Sequence, residues 1–362
     1  MGACEARVDL LVIGLGPAGG SAARVAAGAG LSVLAVDKKR QIGWPVQCAE
    51  FLPLPMGAYA TAPGVLQQRI GGMQSFLPSG AVHRSDFPGL MIDRACLDRA
   101  IAEAAERAGA RLATHTRLIA LDAAAHVATL EDADGTRQVS YRMLIAADGP
   151  HSLVAARLGL SPLACVQTRQ YTVPLLQPYQ DTDVWLSDEF PGGYAWLFPK
   201  GAVANLGLGA DRRFEDDLKT PLDALHLRLV AQGLVGETIV ARTGGAIPVG
   251  GLRERLTVGD VLFVGDAAGL AHPITGAGIA AALISGECAG LAVARSLAGE
   301  AEAIDAFEEE LRDRFEDALM RAVDRRRWLE GVWRTPAARA DAAMRRGWIA
   351  FDEYYDHAFD LP

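Results

Sequence analysis

Residues 8–37 read VDLLVIGLGPAGGSAARVAAGAGLSVLAVD, and this stretch decides the fold at the start of the chain. The apolar run 8–13 predicts a buried strand, the Ala/Gly-rich segment 18–29 a helix, and the apolar run 31–36 a second strand. A strand, a helix and a strand in this order are typical of a parallel sheet covered by helices. The sequence therefore predicts an α/β fold with a Rossmann-like unit at its start.

A glycine-rich turn of the pattern G-x-G-x-x-G joins the first strand to the helix. The first glycine permits the tight bend, the second lets the backbone approach a pyrophosphate, and the third allows the helix to pack closely on the strand. Asp37 ends the second strand, where it can bind a ribose 2′-hydroxyl and disfavours a 2′-phosphate. The pattern predicts FAD or NAD, bound by Gly14, Gly16, Pro17, Ala18, Gly19 and Asp37.

The composition bounds the class of protein. The chain has 362 residues, a net charge of −9 and 50% hydrophobic residues, which predicts about two globular domains and argues against a general nucleic-acid binder. The five cysteines are scattered and never paired as C-x-x-C, so we expect no disulfide framework, no metal site and a cytoplasmic location. The apolar stretch 277–299 contains Glu287 and Arg295 and is interpreted as a buried helix rather than a membrane span.

Two further patterns describe the rest of the chain. Residues 166–250 carry short alternating strands, which indicate a largely antiparallel insertion, and the charged residues after 302 indicate helices. The parallel pattern returns at 261–264. The other expected elements are a helix at 93–108, strands at 111–120, 125–131 and 137–147, and a helix near 215–232.

Residues 261–279, VLFVGDAAGLAHPITGAGI, favour FAD over NAD. A carboxylate directly after a strand, here Asp266, can accept hydrogen bonds from a polyol such as ribityl. Exposed N–H groups at 275–278 can meet the pyrimidine edge of a flavin and stabilise the charge that develops there on reduction. These residues predict a flavin site at the end of the returning strand.

On these motifs the chain resembles the FAD proteins with the p-hydroxybenzoate hydroxylase fold, and within them the geranylgeranyl reductase family. The resemblance covers nearly the whole chain in order. Its further motifs are PVQCAE at 45–50, IDRACLD at 92–98, ADGPHS at 147–152 and GYAWLFP at 193–199. It implies a discontinuous FAD-binding domain (1–72, 83–165 and 251–301), a substrate-binding β-sheet domain (73–82 and 166–250) and a C-terminal helical segment (302–362).

The resemblance also implies the roles of individual residues. Arg94 would contact the ribityl–pyrophosphate side of FAD, Asp266 the ribityl hydroxyls, and Pro273 the face of the flavin ring. The remaining implied cofactor residues are Lys38, Cys48, Asp148, Gly265, Gly276, Ala277, Gly278 and Ile279. The implied substrate residues are Tyr194, Trp196, Phe198, Pro199 and His272.

The activity implied by the resemblance is reduction of isolated C=C bonds in an isoprenoid chain. Such a reaction needs a hydride from the flavin, a proton from an acid and a cavity that excludes water. We expect Cys48 to be the acid, with Glu50 and then Tyr194 as alternatives. The same fold also hosts monooxygenases that hydroxylate hydrophobic substrates, and a non-catalytic flavoprotein is a third reading. Halogenases carry Trp-x-Trp-x-Ile-Pro, which differs from the strand at 194–199.

Several of these residues have a purely structural reading from the sequence alone. Asp148 can cap a turn, Cys48 can be a buried apolar side chain, and His272 can be a loop histidine. An aromatic strand face such as 194–198 is often core. Residues 325–328 (RRRW) and Trp333 are either a solvated helix face or a contact with an anionic membrane or head group.

The expected partners follow from the same resemblance. A hydrophobic small molecule is the substrate, and since the chain has no second glycine fingerprint, electrons come from a transiently docked NAD(P)H or a reduced protein. We expect a cytoplasmic protein, with peripheral contact at the inner face of the membrane as an alternative. Two features depart from the family pattern: Ala49 stands where glycine is common, and the insertion has only about 85 residues.

Overall fold

The computed structural model describes residues 6–333 and 335–356. The helices are α1 (Pro17–Gly28), α2 (Arg94–Arg107), α3 (Leu153–Arg157), α4 (Lys219–Ala231), α5 (Ile279–Leu297), α6 (Ala303–Val332) and α7 (Asp341–Gly347). The strands are β1 (Ala6–Ile13), β2 (Val33–Val36), β3 (Phe51–Pro53), β4 (Leu66–Ile70), β5 (Met73–Phe76), β6 (Val82–Ser85), β7 (Gly89–Ile92), β8 (Arg111–Ala113), β9 (Arg117–Asp122), β10 (Val127–Asp132), β11 (Gly135–Ala146), β12 (Cys165–Pro174), β13 (Thr182–Trp185), β14 (Ala195–Lys200), β15 (Val203–Ala210), β16 (Ala241–Thr243), β17 (Ala246–Pro248), β18 (Thr257–Val258) and β19 (Val261–Phe263).

The first sheet has the order β18-β19-β11-β1-β2-β8, and its central pairs are parallel. Strands β9 and β10 extend it as an antiparallel hairpin on β11. The predicted α/β fold with a Rossmann-like unit is confirmed. The single strand expected at 111–120 is wrong, because residues 111–113 pair with β2 whereas 117–122 pair with β10.

The second sheet has the order β16-β12-β15-β14-β13-β5-β6 and is antiparallel except between β13 and β5. Helix α4 covers one face, where a core around Tyr171 and Leu206 packs. The strand pairing carries β6 to Ser85, beyond the predicted boundary at 82. A small third sheet, β3-β7-β4, lies beside α2 and α5, where its residues form a common core.

Helix α5 packs on α1 through small residues. A Cβ on Gly286 would lie 2.1 Å from the carbonyl oxygen of Ala18, and one on Gly290 2.6 Å from that of Ala22. Among the described residues, α5 is the helix long and apolar enough to cross a membrane by length and composition. Because half of its apolar window is buried inside the fold, we interpret α5 as a core helix.

The arginine-rich part of α6 is buried. Arg325 and Arg326 are 1% and 7% exposed, and Trp328 is 8% exposed. Arg325 donates to the carbonyl oxygen of Tyr354 at 2.8 Å, and Arg326 forms an ion pair with Asp211 at 3.3 Å. Both interpretations of these residues, a solvated face and a membrane or head-group contact, are therefore wrong for Arg325, Arg326 and Trp328, which hold the C-terminal segment on the body of the protein.

Candidate active site

A cavity of about 1010 Å³ lies between the first and second sheets, at the upper end of the usual size range for ligand sites. Most of the predicted site residues line it: Gly14, Gly16, Pro17, Ala18, Asp37, Lys38, Cys48, Glu50, Arg94, Asp148, Tyr194, Trp196, Phe198, Gly265, Asp266, Gly276, Ala277, Gly278 and Ile279. Four others do not contribute to the lining: Gly19, Pro199, His272 and Pro273.

The glycine turn has the geometry that a pyrophosphate needs. A Cβ on Gly19 would lie 1.8 Å from the carbonyl oxygen of Gly14, so the third glycine allows the helix to pack on the turn. A Cβ on Gly16 would meet nothing within 4 Å, because this glycine faces the open cavity. Helix α1 begins here without a side-chain cap and without an acidic residue in its first turn, which leaves its N–H groups for an anion.

Asp37 lies at the end of β2 and is held by backbone N–H groups. It accepts hydrogen bonds from the N–H of Leu15 and from that of Lys39, each at 2.8 Å. These bonds fix the carboxylate beside the glycine turn. Its position at the cavity wall is the one expected for a ribose contact.

The N-terminus of a second helix, α5, also lies at the wall of this cavity. Helix α5 begins at Ile279, after Gly278, again without a side-chain cap or an acidic first turn. Asp266 stands next to it, since a Cβ on Gly278 would lie 3.2 Å from the Asp266 Oδ1. Burial raises the pKa of Asp266 to about 6, against the opposing charge of Arg94.

His272 organises the loop before α5 instead of lining the cavity. Its Nδ1 accepts from the N–H of Thr275 at 3.2 Å and from that of Ile274 at 3.3 Å, and burial lowers its pKa to about 4. These contacts favour the structural interpretation of His272, and its expected substrate role stays a prediction. Pro273 is likewise outside the cavity lining, and its carbonyl oxygen accepts from Arg326 at 3.4 Å.

Asp148 supports the turn before α3 and leaves one oxygen at the cavity wall. Its Oδ2 accepts from the N–H of Leu153 at 2.7 Å and from that of Val154 at 3.2 Å, which caps α3. Its Oδ1 is buried and has no hydrogen-bond partner among the described residues, and burial raises the pKa of the carboxyl. A buried polar oxygen without a partner at a cavity wall fits a site completed by a bound polar group.

Glu50 is buried, and its side-chain oxygens accept hydrogen bonds from three neighbouring residues. It is 3% exposed and adopts a φ of 72°, unusual for a residue with a side chain. Its Oε1 accepts from the N–H of Arg94 at 2.9 Å, and its Oε2 accepts from Lys200 at 2.7 Å and from Asn205 at 2.8 Å. Because both side-chain oxygens accept hydrogen bonds and one of them is paired with the Lys200 ammonium, the geometry does not support the catalytic role expected for Glu50.

Cys48 is one of the residues that line the cavity. The N–H of Glu50 donates to the Cys48 Sγ at 3.2 Å. Burial raises the pKa of the thiol, and the charge of Arg94 opposes that rise. Arg94 is itself fixed by a two-point hydrogen bond to Asp98, with both distances at 3.1 Å. The thiol is therefore protonated at neutral pH, and the positive charge of Arg94 would stabilise the thiolate that deprotonation leaves.

The aromatic residues of β14 form the apolar wall. The ring of Trp196 lies 5.7 Å from that of Tyr194 and 6.5 Å from that of Phe198, and Tyr194 packs edge-on against Trp348 at 4.8 Å. The Tyr194 hydroxyl donates to the carbonyl oxygen of Thr275 at 2.5 Å, and burial raises its pKa. Because this hydroxyl already donates to a carbonyl, the geometry favours Tyr194 as part of the apolar wall over Tyr194 as the proton donor.

Some cavity residues escaped sequence reasoning. Phe51 and Phe87 stack at 5.8 Å and continue the aromatic wall beyond Phe198, while Gln170 and Trp348 come from strands and segments with no motif. The ion pair of Asp98 with Arg94 could have been predicted from the sequence, because the two residues are four positions apart on a helix. The others carry no local signal, since only the folded chain brings them to the cavity.

Comparison with known proteins agrees with this geometry. Residues 88–191 match the FAD binding domain family, and residues 215–348 match the lycopene cyclase protein family. Digeranylgeranylglycerophospholipid reductase 1 of Methanopyrus kandleri is 35% identical over 341 residues, which cover 86% of this chain and 88% of the relative. The digeranylgeranylglycerophospholipid reductase of Methanocaldococcus jannaschii is 31% identical over 339 residues, or 89% and 86% of the two chains.

The chain belongs to the geranylgeranyl reductase family. A geranylgeranyl bacteriochlorophyll reductase-like structure from Thermoplasma acidophilum superposes on this reductase with a TM-score of 0.81 at 25% identity, over 94% of this chain and 96% of the other. Aklavinone-11 hydroxylase, solved with FAD and aklavinone, superposes with a TM-score of 0.71 at 19% identity, over 99% and 72%. This second likeness concerns the fold alone.

The reductase is an FAD-dependent oxidoreductase, and its residues fit that cofactor. Helices α1 and α5 both begin at the cavity without a side-chain cap. The N–H groups of α1 would meet the pyrophosphate, and those of α5 would meet the flavin ring. Gly16 has open space on one face, and the Asp148 Oδ1 has no partner among the described residues, so the two would give the dinucleotide room and a polar contact. Asp37 and Asp266 would supply carboxylates for its hydroxyl groups.

Proposed function

We propose that the reductase saturates isolated C=C bonds of a prenyl chain that lies along the aromatic wall. One observation carries the proposal: Cys48, whose thiol has a raised pKa, lines a cavity whose wall includes both the glycine turn and the aromatic residues Tyr194, Trp196 and Phe198. The names of the relatives, digeranylgeranylglycerophospholipid reductases, support the same substrate class. The family's fold neighbours that hydroxylate or halogenate lend less support, because their likeness is confined to the fold.

The chain's own residues supply the proton and the geometry of the reaction. When bound in its reduced form, FAD supplies the hydride. The Cys48 Sγ–H bond breaks as its proton joins the other alkene carbon, so that the C=C bond gains one hydride and one proton in total. The Glu50 N–H and the Arg94 charge stabilise the thiolate that remains, which then recovers a proton from solvent. The aromatic wall holds the alkene and excludes water.

The lining of the substrate half favours a hydrocarbon over an anionic head group. Its described residues from the second sheet, the turn before β14 and the C-terminal segment are Met73, Thr168, Gln170, Thr182, Val184, Tyr194, Trp196, Phe198, Thr243, Ala246, Ile247, Trp348 and Ile349. None of these side chains carries a charge, so a phosphate in this part of the cavity would be desolvated without a cation. The prenyl chain therefore enters, and a charged head group stays at the mouth or outside.

A redox partner must reduce the cofactor between turnovers. The donor is a nicotinamide that docks transiently or a reduced electron-transfer protein. We further propose that the reductase works in the cytoplasm and takes its lipid from the inner face of the membrane. The free thiols of Cys48, Cys96, Cys165 and Cys288 support a reducing compartment.

Anaerobic stopped-flow spectroscopy tests the proposal. The enzyme is reduced in the absence of oxygen and mixed with a geranylgeranylated glycerolipid in detergent. We expect the oxidised flavin spectrum to return and a saturated product to form, whereas the saturated lipid should leave the spectrum unchanged. Reoxidation that requires oxygen and yields a hydroxylated product would assign a monooxygenase instead.

Cys48→Ala tests the proton donor. Removal of the thiol should lower the single-turnover rate by about 10²- to 10⁴-fold, the usual contribution of a positioned acid, without loss of FAD. Cys96→Ala is the matched control, because Cys96 is a half-buried free thiol outside the cavity lining. Equal rates in Cys48→Ala and wild type would remove the thiol from the reaction.

A further inference from the structure

Three consecutive residues around the thiol are held by polar side chains of the second sheet. Gln170 on β12 donates to the carbonyl oxygen of Cys48 at 3.1 Å. Asn205 on β15 donates to the carbonyl oxygen of Ala49 at 3.2 Å and to Glu50. The sheet that forms the substrate wall therefore also fixes the backbone that carries the thiol.

Trp196 connects this support to the substrate wall. Its indole N–H donates to the Gln170 Oε1 at 3.2 Å, and both side chains are buried, with 6% and 4% exposed. A glycine makes room for the ring, since a Cβ on Gly207 would lie 2.4 Å from the Trp196 Cζ2. A buried side chain with both amide atoms engaged is held in one orientation.

The direction of these hydrogen bonds follows from the chemistry of the groups. An indole N–H can only donate, so it selects the oxygen of the Gln170 amide. The amide N–H₂ is then directed to the Cys48 carbonyl, which can only accept. If Trp196 did not donate, the amide could rotate and present its oxygen to that carbonyl, and the contact would become repulsive.

We propose that Gln170 is the positioning residue for the Cys48 thiol, and that the Trp196 N–H sets the orientation of its amide. This inference rests on the proposed function and deepens it, because it gives Trp196 a role beyond that of a wall residue. The groups that act on the thiol are Arg94 on α2, the N–H and the carboxylate of Glu50 on the same loop, and Tyr194 directly before β14. Their alignment with Sγ depends on where the Cys48 backbone stands.

The test uses Trp196→Phe, which removes only the donor and part of the ring, and Gln170→Leu, which removes the amide. Matched controls are Trp185→Phe and Gln167→Leu, at positions on neighbouring stretches of the same sheet outside the cavity lining. All variants are purified with FAD bound. Two quantities are measured: the pH dependence of Cys48 alkylation by iodoacetamide, located by peptide mass spectrometry, and the single-turnover rate with a geranylgeranylated lipid.

We expect both test variants to move the midpoint of alkylation to higher pH, because the thiolate loses its alignment with Arg94 and the Glu50 N–H. The turnover rate should fall by about 10- to 100-fold, as for a displaced catalytic group, with the KM for the lipid changed much less. The double variant should be no slower than the slower single variant, because both substitutions interrupt the same chain of hydrogen bonds from Trp196 through Gln170 to Cys48. The controls should match the wild type.

Unchanged alkylation midpoints in both test variants would overturn the inference, as would additive losses in the double variant. A variant that loses FAD or unfolds is replaced by Gln170→Met, which keeps the volume of the side chain and removes its hydrogen bonds. The alkylation profile needs no turnover. If the lipid fails to reoxidise the wild type while the midpoints still shift, the proposed function fails and the positioning role stands.

Discussion

Asp266 is a buried carboxyl at the cavity whose ionisation couples folding to pH. Its pKa in the folded protein is about 6, above the ordinary 3.8, because burial penalises the charge. The folded protein therefore binds more protons than the unfolded chain between pH 4 and 6, and the free energy of unfolding falls as the pH rises through that range. Above pH 6 the ionised carboxylate costs the FAD-free protein roughly 1–3 kcal/mol.

Asp266→Asn should remove this cost. In thermal unfolding of the FAD-free protein we expect the variant to be more stable than wild type at pH 7.5 and equal to it near pH 4, while it binds FAD more weakly. Asp93→Asn is the control of opposite sign, because hydrogen bonding from Cys96 and the charge of Lys200 outweigh burial and lower the Asp93 pKa. A variant of Asp266 with no gain in stability at pH 7.5 would contradict the burial argument.

Single residues were the part of the site that sequence patterns described least well. The motif at 45–50 marks Cys48 and Glu50 equally, and only the contact of Glu50 with Lys200, 150 positions away, distinguishes the two side chains. The contacts of His272 were also not predicted, although its ring bonds to N–H groups only two and three residues ahead. A sequence shows which side chains carry chemistry but not which partners already engage them.

At the scale of elements, the crossing of α1 and α5 holds the two cofactor-binding ends together. Gly286→Ala would force a Cβ to within 2.1 Å of a backbone oxygen of Ala18, which has no freedom to move. We expect a loss of about 1–3 kcal/mol or more in the free energy of unfolding, together with weaker FAD binding because both helix N-termini shift.

Gly28→Ala provides the contrast. Gly28 ends α1, and a Cβ there would meet nothing within 4 Å. The substitution should stabilise the protein by about 0.5–1 kcal/mol, the ordinary difference in helix propensity. Chemical denaturation of both variants measures the two effects, and destabilisation of similar size in both would show that the close crossing is not the cause.

Elements were predicted best where their signal is local. The strand, turn and helix at 6–28 and the helix at 94–107 agree with their periodicity because each buries a continuous apolar face. The prediction for 111–122 fails because this stretch forms two strands with different partners. Residues 111–113 pair with β2, and residues 117–122 pair with β10. Strand β5 pairs with β13, about a hundred residues further on, and β6 pairs with β5, so the place of this hairpin in the second sheet has no local signature.

At the scale of the whole molecule, the C-terminal segment closes the cavity. Trp348 and Ile349 line it, and Trp348 packs with Met344 and Phe351 against strands β5 and β13. The buried Arg325 of α6 donates to the carbonyl oxygens of Tyr354 and Asp356 and so holds this segment in place. The last part of the chain thus forms the end of a wall whose other residues come from the first half and the middle.

Trp348 should therefore limit the length of chain that the cavity accepts. Trp348→Leu shortens the end of the wall, and among the described residues the Trp348 indole N–H has no hydrogen-bond partner to lose. We expect the ratio of kcat/KM for a longer over a shorter prenyl chain to rise about tenfold or more, since each methylene accommodated in a hydrophobic pocket is worth roughly 1–3 kcal/mol. Anaerobic turnover of a series of prenyl lipids measures this ratio.

Trp328→Leu is the matched control, because Trp328 is a buried tryptophan of the same C-terminal region outside the cavity lining. Both variants lose core packing and should unfold more readily, so stability alone cannot distinguish them. Only Trp348→Leu should alter the preference for chain length. If both variants change that preference equally, the effect comes from loosening of the segment as a whole, and the cavity ends elsewhere.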